Sequence, residues 1–205
     1  MAKGASIGEI RKKVTKTYEL ITTSYHEAGH AVFALLCEMK VSSVCIFEHK
    51  MLKRIHGFTQ YESPDLDPHH SLFDVRLQQE IGLSYAGLLA EKYHFKSISG
   101  SDQIPMFIKE GSSNDLMSVR KAIHKYNPAP AGKKRTLYKQ KIARNTLNML
   151  IEYWDAVELI AHSLFKRRKL TFQDLRQLLI KKSKNKKYWK EQFRIILQYF
   201  PDRTA

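Results

Sequence analysis

The sequence predicts a mainly α-helical fold carrying a small two- or three-stranded β element and closing in a C-terminal helical bundle. Three observations carry that expectation. Apolar residues recur at three- and four-residue spacing through most of the 205-residue chain, as in helices that bury one stripe. Two short stretches, Val41 to Phe47 and Gly57 to Tyr61, are instead rich in β-branched and aromatic residues. Prolines gather between the periodic segments, at Pro64 and Pro68 and again at Pro128 and Pro130.

The first helix is expected from about Thr15 to Glu38, because Ile21, Tyr25, Ala28, Val32, Leu35 and Leu36 line one face. The two β segments follow and form a small hairpin or sheet across the polar stretch holding Lys50, Lys53 and Arg54. One edge of that sheet is expected to stay unpaired, a docking line for an extended peptide. After the Pro64 to Pro68 loop, Leu72, Val75, Leu77, Ile81, Leu83, Tyr85, Leu88 and Leu89 support a long buried helix ending near His94. Its Gly82, Ser84, Ala86, Gly87 and Ala90 would let another helix approach closely. Residues 97–111 read as a loop, Ser112 opens a helix to about Tyr126, and Asn127-Pro128-Ala129-Pro130 stops it. Beyond the break, Lys133 to Phe165 reads as one long amphipathic helix. Thr171 caps a shorter helix with Asp174 at its third position, and Tyr188 to Phe200 forms the last. The expected organisation is a core at residues 1–127 and a basic C-terminal helical subdomain at 128–205 packed on it.

With 43% apolar residues the chain can build a sizeable core. No apolar run approaches the roughly 20 residues that span a bilayer, and Met1 to Lys16 lacks the apolar segment of a secretory signal, so a cytoplasmic location is expected. Cys37 and Cys45 are the only cysteines and read as small apolar fillers. The net charge of +15 is unevenly placed: residues 1–127 hold 16 Lys+Arg against 14 Asp+Glu, residues 128–205 hold 19 against 6. The densest run, Lys181-Lys182-Ser183-Lys184-Asn185-Lys186-Lys187, reads equally as a solvated helix end or as a surface for nucleic acid. Tyr188 and Trp189 beside it either stack on bases or complete the apolar side of the last helix.

The sharpest motif is His26-Glu27-Ala28-Gly29-His30. Helical geometry puts the two imidazoles one turn apart on one face, where they can share a metal ion. Glu27, pointing obliquely from that face, is then placed to act as general base toward the metal's water, the arrangement of H-E-x-x-H metallopeptidases. The motif lies on a predicted helix with an apolar stripe, the context it requires. A catalytic zinc site needs a third protein ligand, commonly His, Glu or Asp from elsewhere.

Two segments together, Tyr25-His26-Glu27-Ala28-Gly29-His30-Ala31 and Gly111-Ser112-Ser113-Asn114-Asp115-Leu116, resemble the peptidase domain of the FtsH family of ATP-dependent zinc proteases. Ser43 to Phe47 and Gly57 to Tyr61 are similar to the strands after that family's active-site helix. Tyr85-Ala86-Gly87-Leu88-Leu89-Ala90-Glu91 and, more weakly, Trp154 to Thr171 are similar to its later helices. The likeness covers roughly residues 17–180. It implies a zincin-like helical metallopeptidase domain with His26, His30 and Asp115 as zinc ligands and Glu27 as base. Ser112-x-x-Asp115 also satisfies a capping-box pattern, in which the acid caps a helix and never meets metal. Glu91 is the reserve ligand, or hydrogen-bonds a ligand histidine and fixes its tautomer. His49, His56, His69, His70, His94, His124 and His162 lack a partner at ligand spacing.

No counterpart of the family's ATPase module or transmembrane segments is expected, since about 25 residues precede His26 and Gly132-Lys133-Lys134 is not a phosphate loop. The expected activity is therefore an ATP-independent zinc endopeptidase acting on proteins or peptides, with a separate unfoldase or adaptor as a candidate partner. Ring assembly is not implied. The competing expectation is a nucleic-acid-associated or adaptor protein on an inactive or regulatory metallopeptidase scaffold.

Overall fold

The computed structural model describes residues 6–63, 69, 71–101, 113–126 and 132–201. Helix α1, Ile7–Leu36, begins eight residues before the expected start because a capping box opens it. Ser6 Oγ accepts from the Glu9 amide at 3.3 Å and Glu9 Oε2 accepts from the Ser6 amide at 2.8 Å. Ile7 and Val14 in its first turns are exposed, so this part of the helix stands outside the core that the expected start was drawn from. From Leu20 onward the helix enters the core, with Val32 and Leu35 fully buried.

Strands β1, Lys40–Glu48, and β2, Ile55–Glu62, form an antiparallel hairpin with a bulge between Val41 and Ser43. A third strand, β3, Lys169–Thr171, pairs antiparallel with β1 through Ser43, Val44 and Cys45, giving the order β2-β1-β3. The expected small sheet thus has three strands, and β2 lies at an edge with no partner on its outer side among the described residues.

Helix α2, Phe73–Ser99, continues five residues past His94 and ends where Gly100, at φ 67°, supplies the left-handed C-terminal residue. The small residues of α2 do what their size suggests. A Cβ on Gly29 of α1 would lie 2.6 Å from both the Ala86 carbonyl oxygen and Ala90 Cβ, so the two helix backbones meet there. Helix α3, Ser113–Tyr126, packs Val119 and Ile123 against Leu77 and Ile81 of α2. Ser112, the 127–130 break and the loop prolines Pro64 and Pro68 lie outside the described residues.

The single long helix expected from Lys133 to Phe165 is two helices, α4, Lys133–Glu152, and α5, Trp154–Arg167. The chain turns at Tyr153, where φ is −110° and ψ is 30°. No Gly or Pro marks this corner, and each half keeps its own apolar stripe, so the heptad-like pattern runs on through the break. Helix α6, Phe172–Lys182, has the expected capping box: Thr171 Oγ1 accepts from the Asp174 amide at 3.3 Å and Asp174 Oδ2 accepts from the Thr171 amide at 2.9 Å. Helix α7, Lys186–Tyr199, closes the chain and buries Trp189, Phe193 and Ile196 completely. Trp189 therefore belongs to the core and is unavailable to stack on bases. Tyr188 is half-buried against Tyr153, with ring centroids 4.7 Å apart.

One continuous apolar cluster joins α1, β1, α2, α5, α6 and α7, so residues on both sides of position 127 build the same core. Gln192 of α7 donates its Nε2 to the Leu35 carbonyl at 2.7 Å, satisfying an acceptor at the end of α1. No described helix is long and apolar enough to cross a membrane. Cys37, buried, and Cys45, half-buried, are free thiols.

Candidate metal centre

Helix α1 presents His26 and His30 from one face, as their four-residue spacing requires, and their Nε2 atoms come within 2.9 Å of each other. Helix α3 brings Asp115, in its first turn, against them: Oδ2 lies 3.0 Å from His26 Nε2 and 3.4 Å from His30 Nε2. The Asp115 carboxylate is thus directed at the imidazoles, 85 residues downstream of His30 in sequence. These three are the only group of potential metal ligands among the described residues whose donor atoms all lie within 4.8 Å of one another.

The other ring nitrogens fix which atoms face the cluster. His30 Nδ1 lies 2.9 Å from the Leu83 carbonyl oxygen, which can only accept, so Nδ1 carries the proton and the Nε2 lone pair points inward. His26 Nδ1 faces Glu91 Oε2 at 3.5 Å, an ion-pair contact longer than a hydrogen bond. Glu91 is buried, stands behind His26, and does not join the three converging atoms. Its carboxylate meets the side of the His26 ring turned away from the converging atoms.

The charges of the cluster are tightly coupled. Asp115 Oδ2 and Glu91 Oε2 are buried, and their contacts are to the imidazoles of His26 and His30. Burial opposes a charge on His26, but Asp115 and Glu91, aided by Glu27, outweigh it and hold the imidazolium well above the usual histidine range. Burial likewise pushes Asp115 up, yet His26 and His30 outweigh it and keep the carboxyl well below the usual range. For Glu91 burial dominates and raises its pKa against the pull of His26. Two imidazole nitrogens and a carboxylate oxygen at these separations suit a divalent ion such as zinc. Tetrahedral ligands at about 2.05 Å from a common centre are about 3.3 Å apart.

Glu27 is buried beside this cluster and is gripped by β2. Thr59 Oγ1 lies 2.8 Å from Glu27 Oε2 and 3.2 Å from the Glu27 carbonyl oxygen, so its single proton has two acceptors on one residue, the carboxylate being the nearer. Gly57, two residues earlier on the same face of the strand, makes the room: a Cβ there would stand 2.5 Å from Glu27 Cγ and 2.6 Å from Oε1. Gly87 of α2 does the same for the ligands, since its Cβ would lie 2.5 Å from the Nε2 atoms of both His26 and His30. The sequence places Gly57, Thr59 and Gly87 in their elements without marking them as part of the site. A glycine inside a strand and a glycine inside a helix, each at a close approach, were the signals available.

The cluster opens on a groove bounded by β2 on one side and by α2 and α3 on the other, lined among others by Phe58, Thr59, Tyr61, Glu80 and Asn114. Burial, with Glu80 and Asp115 nearby, pushes the Tyr61 phenol up to about 12, so it stays protonated as a donor at the groove wall. Among the described residues, no other histidine joins the His26, His30 and Asp115 group. His94 stacks on Tyr25 with ring centroids 3.5 Å apart, and His49 and His56 pair at 5.3 Å on the hairpin. His70 lies outside the described residues. A scan against protein-family models finds no match for the chain, and a search of the curated proteins finds none similar to it.

Proposed function

We propose that the chain is a zinc-dependent endopeptidase that hydrolyses peptide bonds in proteins or peptides. The observation that carries this reading is the convergence of His26 Nε2, His30 Nε2 and Asp115 Oδ2 beside a carboxylate, Glu27, which a strand hydroxyl holds in place. The site opens on a groove walled by an edge strand, as an extended substrate requires.

His26, His30 and Asp115 would hold the ion, with the Leu83 carbonyl and Glu91 fixing the two rings from behind. Zinc held there supplies a Lewis acid that polarises a carbonyl and acidifies water. The substrate main chain lies along β2, pairing its amides and carbonyls with the outer edge of the strand. Glu27 takes a proton from the attacking water as its oxygen bonds to the scissile carbonyl carbon. It then delivers that proton to the amine nitrogen as the C–N bond breaks. Thr59 keeps the Glu27 carboxylate aimed through both protonation states, accepting no role in the proton transfer itself.

The test compares the parent chain with Glu27→Gln, loaded with zinc, on casein and on a quenched peptide library, with metal content measured in parallel. Glu27→Gln keeps its zinc and loses cleavage. Equal cleavage by both proteins refutes the mechanism. Asp115→Ala lowers zinc content, and full occupancy in that variant removes Asp115 from the ligand set.

A further inference from the structure

The five lysines at positions 181, 182, 184, 186 and 187 run from the last turn of α6 across the connection into the first turn of α7 and are all exposed. That connection is a built turn. Asp155, in the first turn of α5, accepts from Ser183 Oγ at 2.6 Å and from the Lys184 amide at 2.7 Å, and Ser183 Oγ in turn accepts from the Asn185 amide at 3.1 Å. Ser183 is fully buried, so the middle of the run is pinned to the body of the protein while the ammonium groups on either side are displayed.

Nothing in the fold explains this density of charge. No carboxylate among the described residues forms an ion pair with these lysines, whereas nearby Arg167 and Arg194 are paired with Asp174 and Glu191. Lys186 and Lys187 occupy the first turn of α7, the positive end of its dipole, where cations are disfavoured and acids expected. Lys190 continues the exposed basic face down α7.

The chemistry of the partner follows from what surrounds the charge. A lipid surface is ordinarily gripped by apolar side chains beside the cations. Of the described residues from 152 to 198, none is an exposed large hydrophobic. Single-stranded nucleic acid is held by aromatic platforms, and here Trp189 is in the core and Tyr188 half-buried. What remains is an array of exposed amines on a turn pinned by Asp155, suited to the phosphate backbone of a duplex. We propose that the Lys181–Lys187 turn, clamped by Asp155 and extended by Lys190, binds the sugar–phosphate backbone of double-stranded nucleic acid without reading its sequence. This surface is independent of the metal centre, so the two assignments stand or fall separately.

The experiment follows binding of the full chain to a labelled 20-base-pair duplex, as DNA and as RNA, by fluorescence anisotropy. With about five phosphates neutralised, affinity falls on the order of 10²–10³-fold between about 50 and about 200 mM KCl. Replacing Lys182, Lys184, Lys186 and Lys187 together by Gln abolishes most of the binding and flattens the salt slope, while the fold by circular dichroism is retained. K166Q/R168Q/K169Q removes charge at the opposite end of α6 and leaves the affinity within a few-fold of the parent. Equal losses in the two variants refute the assignment to the turn. Tighter binding to a single strand refutes the backbone-only reading, and binding to phosphatidylserine vesicles without duplex binding replaces it with a membrane surface. Whichever of DNA and RNA binds tighter identifies the source of the phosphates.

Discussion

Gly87→Ala isolates the geometry of the proposed metal centre in a single methyl group. The added Cβ falls 2.5 Å from His26 Nε2, 2.5 Å from His30 Nε2 and 2.7 Å from His26 Cδ2. Ordinary carbon–nitrogen contact needs about 3.4 Å or more, so at least one imidazole must move by about 1 Å. Metal–ligand distances tolerate only about 0.2 Å, so such a movement takes one nitrogen out of coordination range. If the site instead resists, the overpacking costs about 1–3 kcal/mol, which corresponds to a zinc dissociation constant about 5- to 150-fold larger when the cost falls on the metal-bound state. A competition titration against a chromophoric chelator measures it directly. Gly82→Ala is the matched control, because its Cβ meets Phe33 Cζ at 2.6 Å and Thr146 Oγ1 at 2.8 Å, away from the ligands. It lowers the melting temperature and leaves zinc affinity unchanged. Parent-like zinc affinity in Gly87→Ala, or an equal loss in both variants, refutes the reasoning.

Thr59→Val removes the hydroxyl that holds Glu27 and leaves a buried carboxylate without its donor. A hydrogen bond to a charged group contributes about 1.5–3 kcal/mol, so kcat falls about tenfold or more at unchanged zinc content, and Thr59→Ser restores it. His94 is held down to about 4 by burial and by the nearby His162, against 6.5 for the free side chain. The unfolded chain therefore binds this proton first, and stability falls as pH drops from about 6.5 toward about 4. His94→Phe keeps the stack on Tyr25 and flattens that part of the melting-temperature profile. Thr171→Ala breaks the capping box of α6 and costs about 1 kcal/mol in denaturant unfolding, while Thr171→Ser costs little.

The parts of the site that were legible in the sequence are those whose chemistry and spacing coincide. His26 and His30 have no option but to share a face once α1 is helical, and the Ser-Asn-Asp segment carried Asp115 through the likeness to a known pattern. The supporting pieces were legible only as elements. Gly57 and Gly87 matter through what their missing side chains make room for, and those neighbours lie 30 and 57–61 residues away in sequence. The expected α2 stop at His94 missed Gly100, whose left-handed φ sets the real end. Tyr153 turned the chain with an ordinary residue, so the apolar rhythm of α4 and α5 concealed the corner. Strand β3 holds three residues between two helices, too short for alternation to show, and exists because β1 offers it an edge.

The bond from Gln192 to the last carbonyls of α1 spans 157 positions and fixes an order of events. Helix α1 is made before α7, so its end acquires this partner only when α7 folds against it, and the core around it is completed by Trp189, Phe193 and Ile196. Until then His26, Glu27 and His30 stand on a helix whose far end lacks that anchor.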